Sequence, residues 1–590
     1  MDEQEKLLNH LDSIYTEGDS VRQKNLKKYE SYIQSYRGEI WKGNVNKPRV
    51  RLVANHLKEI IVRKTALMTD VSPQIEIVPN SDMEEMYHSA KILKGAIESL
   101  YEQNSWSMAH EEIIYFNQLC GYVFTNVGWD KTLEWGEGDI SLLAGDPRSY
   151  IIDPYVTRAH KLNEGEYIIY EYMKPTAQLR AQHPNKLILS DADIADANKK
   201  GVFQQALSAF GYQKKQDVVS AIDRSLVKCY WLKDRADEDE EYEEEGVKKN
   251  RKNALYPTGR FIKRTGNTIL EDFQNPYWDG RFPIDMMDWQ FDPDSPFGIS
   301  EVEDLASPFK AYNKLLALII ENVILNVSPL WVTETGALAP GAKEKLLTNR
   351  PGSVVTLRPG GKLTRESAPA LNSGALESAQ YLRMILDDVS GMNEASGRTK
   401  KGVTAAAALE SLTMQAQSMI RYQSRRLESL MSRIGQKLIA RIFQYYTDDR
   451  LMYMLGDKKE LKTFRFERKK LLDPLIKYYK TEKKLTNIPQ DDINTYIAKK
   501  AFRNFRFHIV AGSSLAMTKV QRAQLVMALF KMGLADAEAV HEMLEFPNAK
   551  AMRERMEKDK EKKPQQQSQP KPTTHTKIPP LQPGGGKIGG

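Results

Sequence analysis

The sequence predicts an α+β protein in which helix predominates. Three features carry that prediction: one helical pattern spanning Thr404 to Tyr446, a cluster of short alternating segments between residues 121 and 263, and two helical rods flanking a proline-rich insertion. Composition is ordinary for a globular protein, with 41% apolar and 28% charged residues over 590 positions. That length supports several structural units with sizeable cores.

Residues 1–43 read as a polar helix with Leu7, Leu8, Leu11 and Ile14 on one face. Residues 50–69 form a second amphipathic helix, closed by Ser72-Pro73. A short strand at 74–78 and helices at 83–102 and 107–119 follow. The period then drops to two. Residues 121–129 and 140–143 read as strands, and Asp146-Pro147 and Asp153-Pro154 frame another. Further strands are expected at 167–172, 225–232 and 259–263. Residues 237–245 are almost wholly acidic and are followed by Lys248, Lys249, Arg251 and Lys252. That run reads as a solvated loop at a hairpin tip rather than as a cation site or a docking patch.

Ser300 and Glu303 have the spacing of a capping box, in which Glu303 reaches back to the start of the helix. Pro308 follows too soon for one uninterrupted helix, so either a second start at Ser307 or a kink is expected. Phe309, Tyr312, Leu316, Ile319, Val323 and Val327 then recur at helical spacing. Residues 328–370 hold Pro329, Pro340, Pro351 and Pro359, with strands expected at 330–334 and 353–357 and a helix near 342–348. From Ser373 a helix resumes, with Leu376, Ala379, Leu382, Leu386 and Val389 on one face and Gly391 as its stop.

Residues 391–404 form a polar loop rich in glycine that carries Arg398, Thr399, Lys400 and Lys401. Beyond it, Leu409, Leu412, Ala416, Met419, Leu427, Leu430, Ile434, Leu438, Ile442 and Tyr445 mark one helical stripe. No proline interrupts it and only Gly435 weakens it, giving a rod on the order of 60 Å at about 1.5 Å per residue. A rod that long outgrows one compact core and suits packing between copies, with Leu427, Leu430, Ile434 and Leu438 in subunit packing. Arg421, Arg425, Arg426, Arg433, Lys437 and Arg441 lie off the stripe and read as intersubunit salt-bridge partners rather than DNA contacts. Strands are expected at 463–470, 480–485 and 502–510, and helices at 518–532, 536–544 and 548–563. The Gln-, Pro- and Gly-rich residues 564–590 cannot bury enough apolar surface to order themselves.

No catalytic constellation stands out. Gly360-Gly361-Lys362 lacks the leading glycine of a phosphate-binding loop, at Thr356, and Leu363 takes its hydroxyl position. His541-Glu542 lacks the second histidine of a zinc peptidase, and no G-x-S-x-G elbow marks a nucleophile. No metal and no cofactor are expected. Cys120 and Cys229 are too few for a disulfide scaffold and read as reduced thiols. The N-terminus lacks an apolar segment, and residues 315–327 are too short and too polar to span a bilayer, so neither a signal peptide nor a membrane partner is expected. The net charge of +7 is small against 85 basic and 78 acidic side chains. The basic loop is the strongest functional candidate, since Arg398, Lys400 and Lys401 could approach a phosphate backbone without reading bases. The plain alternative is a solvent-exposed connection between two helices.

The order of these elements resembles the portal proteins of tailed bacteriophages, the head-to-tail connectors. The double Asp-Pro frame at 146–154, Pro296-Phe297-Gly298-Ile299-Ser300 leading into the first rod, and residues 393–408 leading into the long helix carry the resemblance. It covers roughly residues 50–550 and rests on order and local pattern. It implies a wing, stem, clip and crown architecture with a long core helix. In those terms residues 1–306 are the N-terminal α+β wing region, 307–327 the first stem helix, 328–372 the clip and 373–390 the second stem helix. Residues 391–404 are the tunnel loop, 405–510 the long helix and returning wing strands, 511–563 the helical crown, and 564–590 a disordered tail. The acidic run and the tail have no implied role.

The resemblance further implies a ring, usually of twelve subunits, at one capsid vertex of the virion, assembled in the host cytoplasm. It would conduct double-stranded DNA without sequence preference during packaging and ejection, with the tunnel loop at the DNA channel. The clip, with Lys343, Lys345 and Arg350, would dock the large terminase and then a head-completion or tail adaptor protein. Major capsid and scaffolding proteins would be further partners. The alternative is an oligomeric structural adaptor or scaffold that does not handle DNA. A nucleic-acid translocase is a third reading and lacks the nucleotide site.

Overall fold

Alternation with period two between residues 122 and 288 resolves into two larger antiparallel sheets and a separate two-stranded hairpin, and the helical patterns on either side pack against the larger two. The computed structural model describes residues 3–41, 50–69, 75–80, 83–188, 223–244, 247–327, 330–344, 355–366, 373–391, 406–447, 450–455, 461–482 and 499–509. The chain divides into two compact units, Met1–Ala516 and Met517–Gly590, and these residues all lie in the first. The expected helices beyond residue 511 and the tail at 564–590 lie outside them.

Helices α1 (Glu3–Arg37) and α2 (His56–Thr69), strand β1 (Ile75–Pro79), and helices α3 (Glu84–Gln103) and α4 (Trp106–Cys120) open the chain. Strands β2 (Tyr122–Asp130), β3 (Asp139–Gly145), β4 (Tyr150–Ile152) and β5 (Tyr167–Pro175), helix α5 (Thr176–Gln182) and strand β6 (Arg224–Leu232) follow. Next come β7 (Asp237–Glu244), β8 (Val247–Ala254), β9 (Arg260–Thr265), β10 (Thr268–Gln274) and β11 (Ile284–Asp288). One sheet has the order β10-β9-β6-β5-β4 and the other β11-β2-β3. Leu11 of α1 is fully buried on the larger sheet, with Leu7, Leu8 and Ile14 packed around it, so the expected N-terminal face is the packing face.

The acidic run is not a loop. It forms β7, one arm of a hairpin inserted between the paired strands β6 and β9. Register sets Asp239 opposite Lys252, Glu240 opposite Arg251 and Glu243 opposite Lys248. The acidic segment is thus paired in register with the basic one that follows it, which a composition of one sign taken alone conceals.

Helix α6 (Glu301–Val327) runs unbroken through Pro308. An interior proline costs roughly 3 kcal/mol. Val302, Leu305 and Phe309 are fully buried on both sides of it, so packing holds one helix across the proline where the sequence leaves a second start or a kink. The capping box is half made. Ser300 Oγ accepts from Val302 N at 3.0 Å, but Glu303 turns outward and accepts from the Tyr32 hydroxyl at 2.7 Å. Strand β12 (Leu330–Thr333) pairs with β13 (Leu363–Glu366), and α7 (Ser373–Ser390) returns along α6. The second strand of this insertion lies later than the expected 353–357; Leu357 makes only an isolated bridge to Leu338.

Helix α8 (Ala406–Tyr445) is the long rod that the stripe predicts. After it, β14 (Arg450–Leu455) and β15 (Leu461–Phe466) form a hairpin and α9 (Arg468–Glu482) is a helix. The strand expected at 463–470 therefore ends at Phe466, and residues 480–482 of the strand expected at 480–485 are helical. Leu471, Leu472 and Leu475, spaced for a helix, are buried and decide the matter. Strand β16 (Phe505–Ile509) pairs antiparallel with β1, joining segments more than four hundred positions apart.

Candidate functional site

The long helix is the element on which most of the expected function converges. Leu427, Leu430, Ile434 and Leu438 are buried, and they sit in the protomer's own core. That core also gathers Leu93 and Ile97 of α3, Ile113 of α4, Val123 of β2 and Phe507 of β16. From Ile420 onward the apolar stripe packs within the protomer's own core. Gly435 also has its reason: a Cβ there would lie 2.2 Å from the Phe507 ring.

Four of the six basic residues singled out on this helix are engaged within the protomer. Arg426, Arg433, Lys437 and Arg441 follow one another by seven, four and four positions, which aligns them on one face. That face packs on β11 and the turn before it. Arg426 pairs with Asp288, Arg433 Nε lies 3.4 Å from Asp285, Lys437 Nζ lies 2.6 Å from Asp285, and Arg441 lies 3.0 Å from Asp279. Lys437 also donates to Ile284 O at 3.0 Å, and the Arg441 guanidinium stacks 3.5 Å from the Tyr277 ring centroid. Lys437, Arg441 and Asp285 are almost wholly buried. Burial pushes the Lys437 ammonium below its ordinary pKa, and Asp285 opposes that shift. The intersubunit reading of these four cations is therefore corrected: they bind the helix to its own sheet. Sequence reasoning missed the acids. Their signal was Asp285, a carboxylate inside a strand otherwise buried as apolar residues.

A second buried charge fixes the start of α6. Lys64 Nζ lies 2.6 Å from Glu301 Oε1, and Trp289 Nε1 donates to Glu301 Oε2 at 2.9 Å. Ser300 Oγ lies within hydrogen-bond distance of Gln118 O and Leu119 O, at 2.9 and 2.8 Å. The residue at position 298 must be small, because a Cβ on Gly298 would come within 2.6 Å of both Gln290 O and Gly121 O. The Pro296–Ser300 motif is thus a close backbone crossing at the root of the helix pair.

The pair itself leaves apolar surface uncovered. Phe309, Tyr312 and Ile319 of α6 and Ala379 and Leu386 of α7 are buried together. Farther along, Val323, Ile324, Leu325 and Val327 are about half exposed or more, as are Tyr381 and Met384 of α7. Lys343 is exposed beside the β12 turn. Lys345, Arg350, Arg398, Thr399, Lys400 and Lys401 lie outside the described residues, so their mutual placement is not part of this geometry.

Cys120 and Cys229 are buried and free, and burial pushes their thiols up, Cys229 to about 12 and Cys120 well above the ordinary value. Among the described residues no group of three or more His, Cys, Asp or Glu side chains could hold a metal ion, and no helix is long and apolar enough to cross a membrane. The sequence matches the family described as "Phage P22-like portal protein" over residues 13–582, nearly its whole length. No curated protein matches it.

Proposed function

The chain belongs to the phage P22-like portal protein family, and from that premise we propose that it assembles as a closed ring, of about twelve copies, at one vertex of the capsid. Portal proteins are a structural, non-enzymatic family, and the ring acts as a conduit. Double-stranded DNA passes through it during packaging and leaves through it on ejection. The large terminase docks on the insertion between α6 and α7 during filling, and a head-completion or tail adaptor protein takes its place afterwards. Lys343, Lys345 and Arg350 present basic charge to those partners. Arg398, Lys400 and Lys401 line the channel, with Thr399 among them. Capsid and scaffolding proteins meet the ring during assembly in the host cytoplasm.

The observation that best supports the ring is the half-exposed apolar face of the α6–α7 pair, from Leu318 to Val327 and from Leu376 to Val389. A concentration of exposed large apolar side chains on one helix pair marks an interaction surface, and a head-to-tail contact between identical copies closes into a ring. Mass photometry of the purified chain tests the reading. A single species near twelve copies is expected; a monomer or dimer at micromolar concentration overturns it and favours an adaptor that does not enclose DNA.

A further inference from the structure

The three-stranded sheet β11-β2-β3 carries an unusual group at each end. The β2–β3 connection, residues 131–138, is fully exposed except at Gly138. Trp135 at its tip is 103% exposed, as open as the side chain can be, with Leu133, Glu134 and Glu137 exposed beside it. The tip is a built turn. Gly136 N and Gly138 N both donate to Leu133 O, and Asp130 Oδ1 accepts from Thr132 N and Oγ1. Trp135 is held at φ 58, in the left-handed region that bulky side chains avoid. Gly138, at φ 82, lies so close to Trp129 that a Cβ would meet its ring at 2.6 Å. A large apolar ring is thus displayed where neither burial nor backbone preference asks for it.

At the opposite end of the sheet, past the β2 residue Tyr122 and its partner Asp288, the chain enters a loop at Phe291. Register separates the two ends by the length of β2, roughly 25–30 Å at about 3.3 Å per residue. Phe291 is 45% exposed and Tyr422 40%. The Arg158 guanidinium lies 4.7 Å from the Phe291 ring centroid, and Arg426 lies 6.0 Å from Phe291 and 4.9 Å from Tyr422. Phe291 N donates to the Tyr422 hydroxyl at 3.3 Å, fixing the two rings together. Arg158 donates only to the carbonyls of Thr157, Asp292 and Pro293, so among the described residues no carboxylate neutralises it.

We infer that Trp135 of one copy docks on the Phe291–Tyr422–Arg158 patch of the next copy in the ring. This rests on the ring proposed above. An aromatic ring meeting aromatic and guanidinium partners has the composition of interface hot spots. Glu134 and Glu137 bring carboxylates to the unneutralised Arg158. Knob and receptor lie at opposite ends of one sheet, as a head-to-tail contact requires and a two-fold contact does not.

Two measurements on the full-length chain test this. A photo-crosslinking phenylalanine analogue at position 135 should join neighbouring subunits and map by mass spectrometry to residues 290–298, Arg158 or Tyr422. Trp135→Ser should raise the protomer concentration needed for half-assembly by on the order of tenfold or more, while Trp135→Phe restores most of the loss and the protomer's melting temperature stays put. Rings that form at wild-type concentrations with Trp135→Ser, or crosslinks that map elsewhere, overturn this contact and leave the ring standing. A wild-type chain that stays monomeric overturns both.

Discussion

Asp285 lies in a strand buried along most of its length, and a lone carboxylate there would be costly to hide. Lys437 and Arg433 supply the cations that make it tolerable. Removing one partner of a buried pair typically costs 3–5 kcal/mol, whereas replacing both with apolar groups is often near neutral. Lys437→Met should therefore lower the thermal midpoint markedly, and adding Asp285→Leu should recover part of the loss; equal midpoints for the single variant and the wild type would show the pair to be inert. His110 gives a pH dependence. It stacks on Trp106 within the buried face of α4, its Nε2 has no hydrogen-bond partner among the described residues, and burial holds its pKa down to about 4. An unfolded histidine titrates near 6.5, so between about 6.5 and 4 the unfolded chain binds a proton that the folded chain does not. His110's share of stability is complete above that window and falls as the pH drops through it, at up to about 1.4 kcal/mol per unit. His110→Leu should flatten the melting temperature against pH between 7 and 5, and parallel curves for variant and wild type would refute the assignment. Neither residue announced itself in the sequence, because a histidine or lysine in a helical pattern looks alike whether it meets water or a core.

At the scale of elements, sequence period was a good guide where one face is buried and a poor one where two elements share a burden. The stripe of α8 and the polar helix α1 were legible because spacing alone separates their faces. Pro308 and the acidic strand β7 were not, since each depends on what lies opposite: core contacts on both sides of the proline, and the basic strand β8. Gly435 shows the same dependence. Alanine at an exposed helix interior would stabilise by roughly 0.5–1 kcal/mol. Here a Cβ would meet the Phe507 ring far inside contact distance, and overpacking of a core commonly costs 1–3 kcal/mol. Gly435→Ala should destabilise the protomer despite its better helix propensity, and pairing it with Phe507→Leu should relieve part of the penalty. A variant at least as stable as the wild type would mean that β16 moves away freely and that the β1–β16 pair does not clamp the long helix. Of the candidate site, Leu427, Leu430, Ile434 and Leu438 were legible as buried positions, because their spacing alone puts them on one face.

For the whole molecule, the consequence of the buried ladder is a division of labour among its cations. Arg426, Arg433, Lys437 and Arg441 are committed to Asp288, Asp285 and Asp279 and cannot also meet a phosphate backbone. Any attraction for passing DNA from this helix and the loop before it then falls to cations outside that set, Arg421 and Arg425 on the helix and Arg398, Lys400 and Lys401 in the loop, and the loop carries the denser group. Three charges on each copy, repeated around a ring, multiply a weak phosphate attraction without creating a sequence preference. DNA that must slide needs contacts of this kind, distributed and individually weak. Changing Arg398, Lys400 and Lys401 together to serine should leave the ring intact, because the described core and the ladder are complete with other residues. Packaging, or retention of DNA in the filled capsid, should suffer, and its salt dependence should weaken as the charges go. Capsids that fill, hold and release DNA at wild-type rates across ionic strengths would reduce the loop to a plain connection and move the DNA contacts to another surface of the ring.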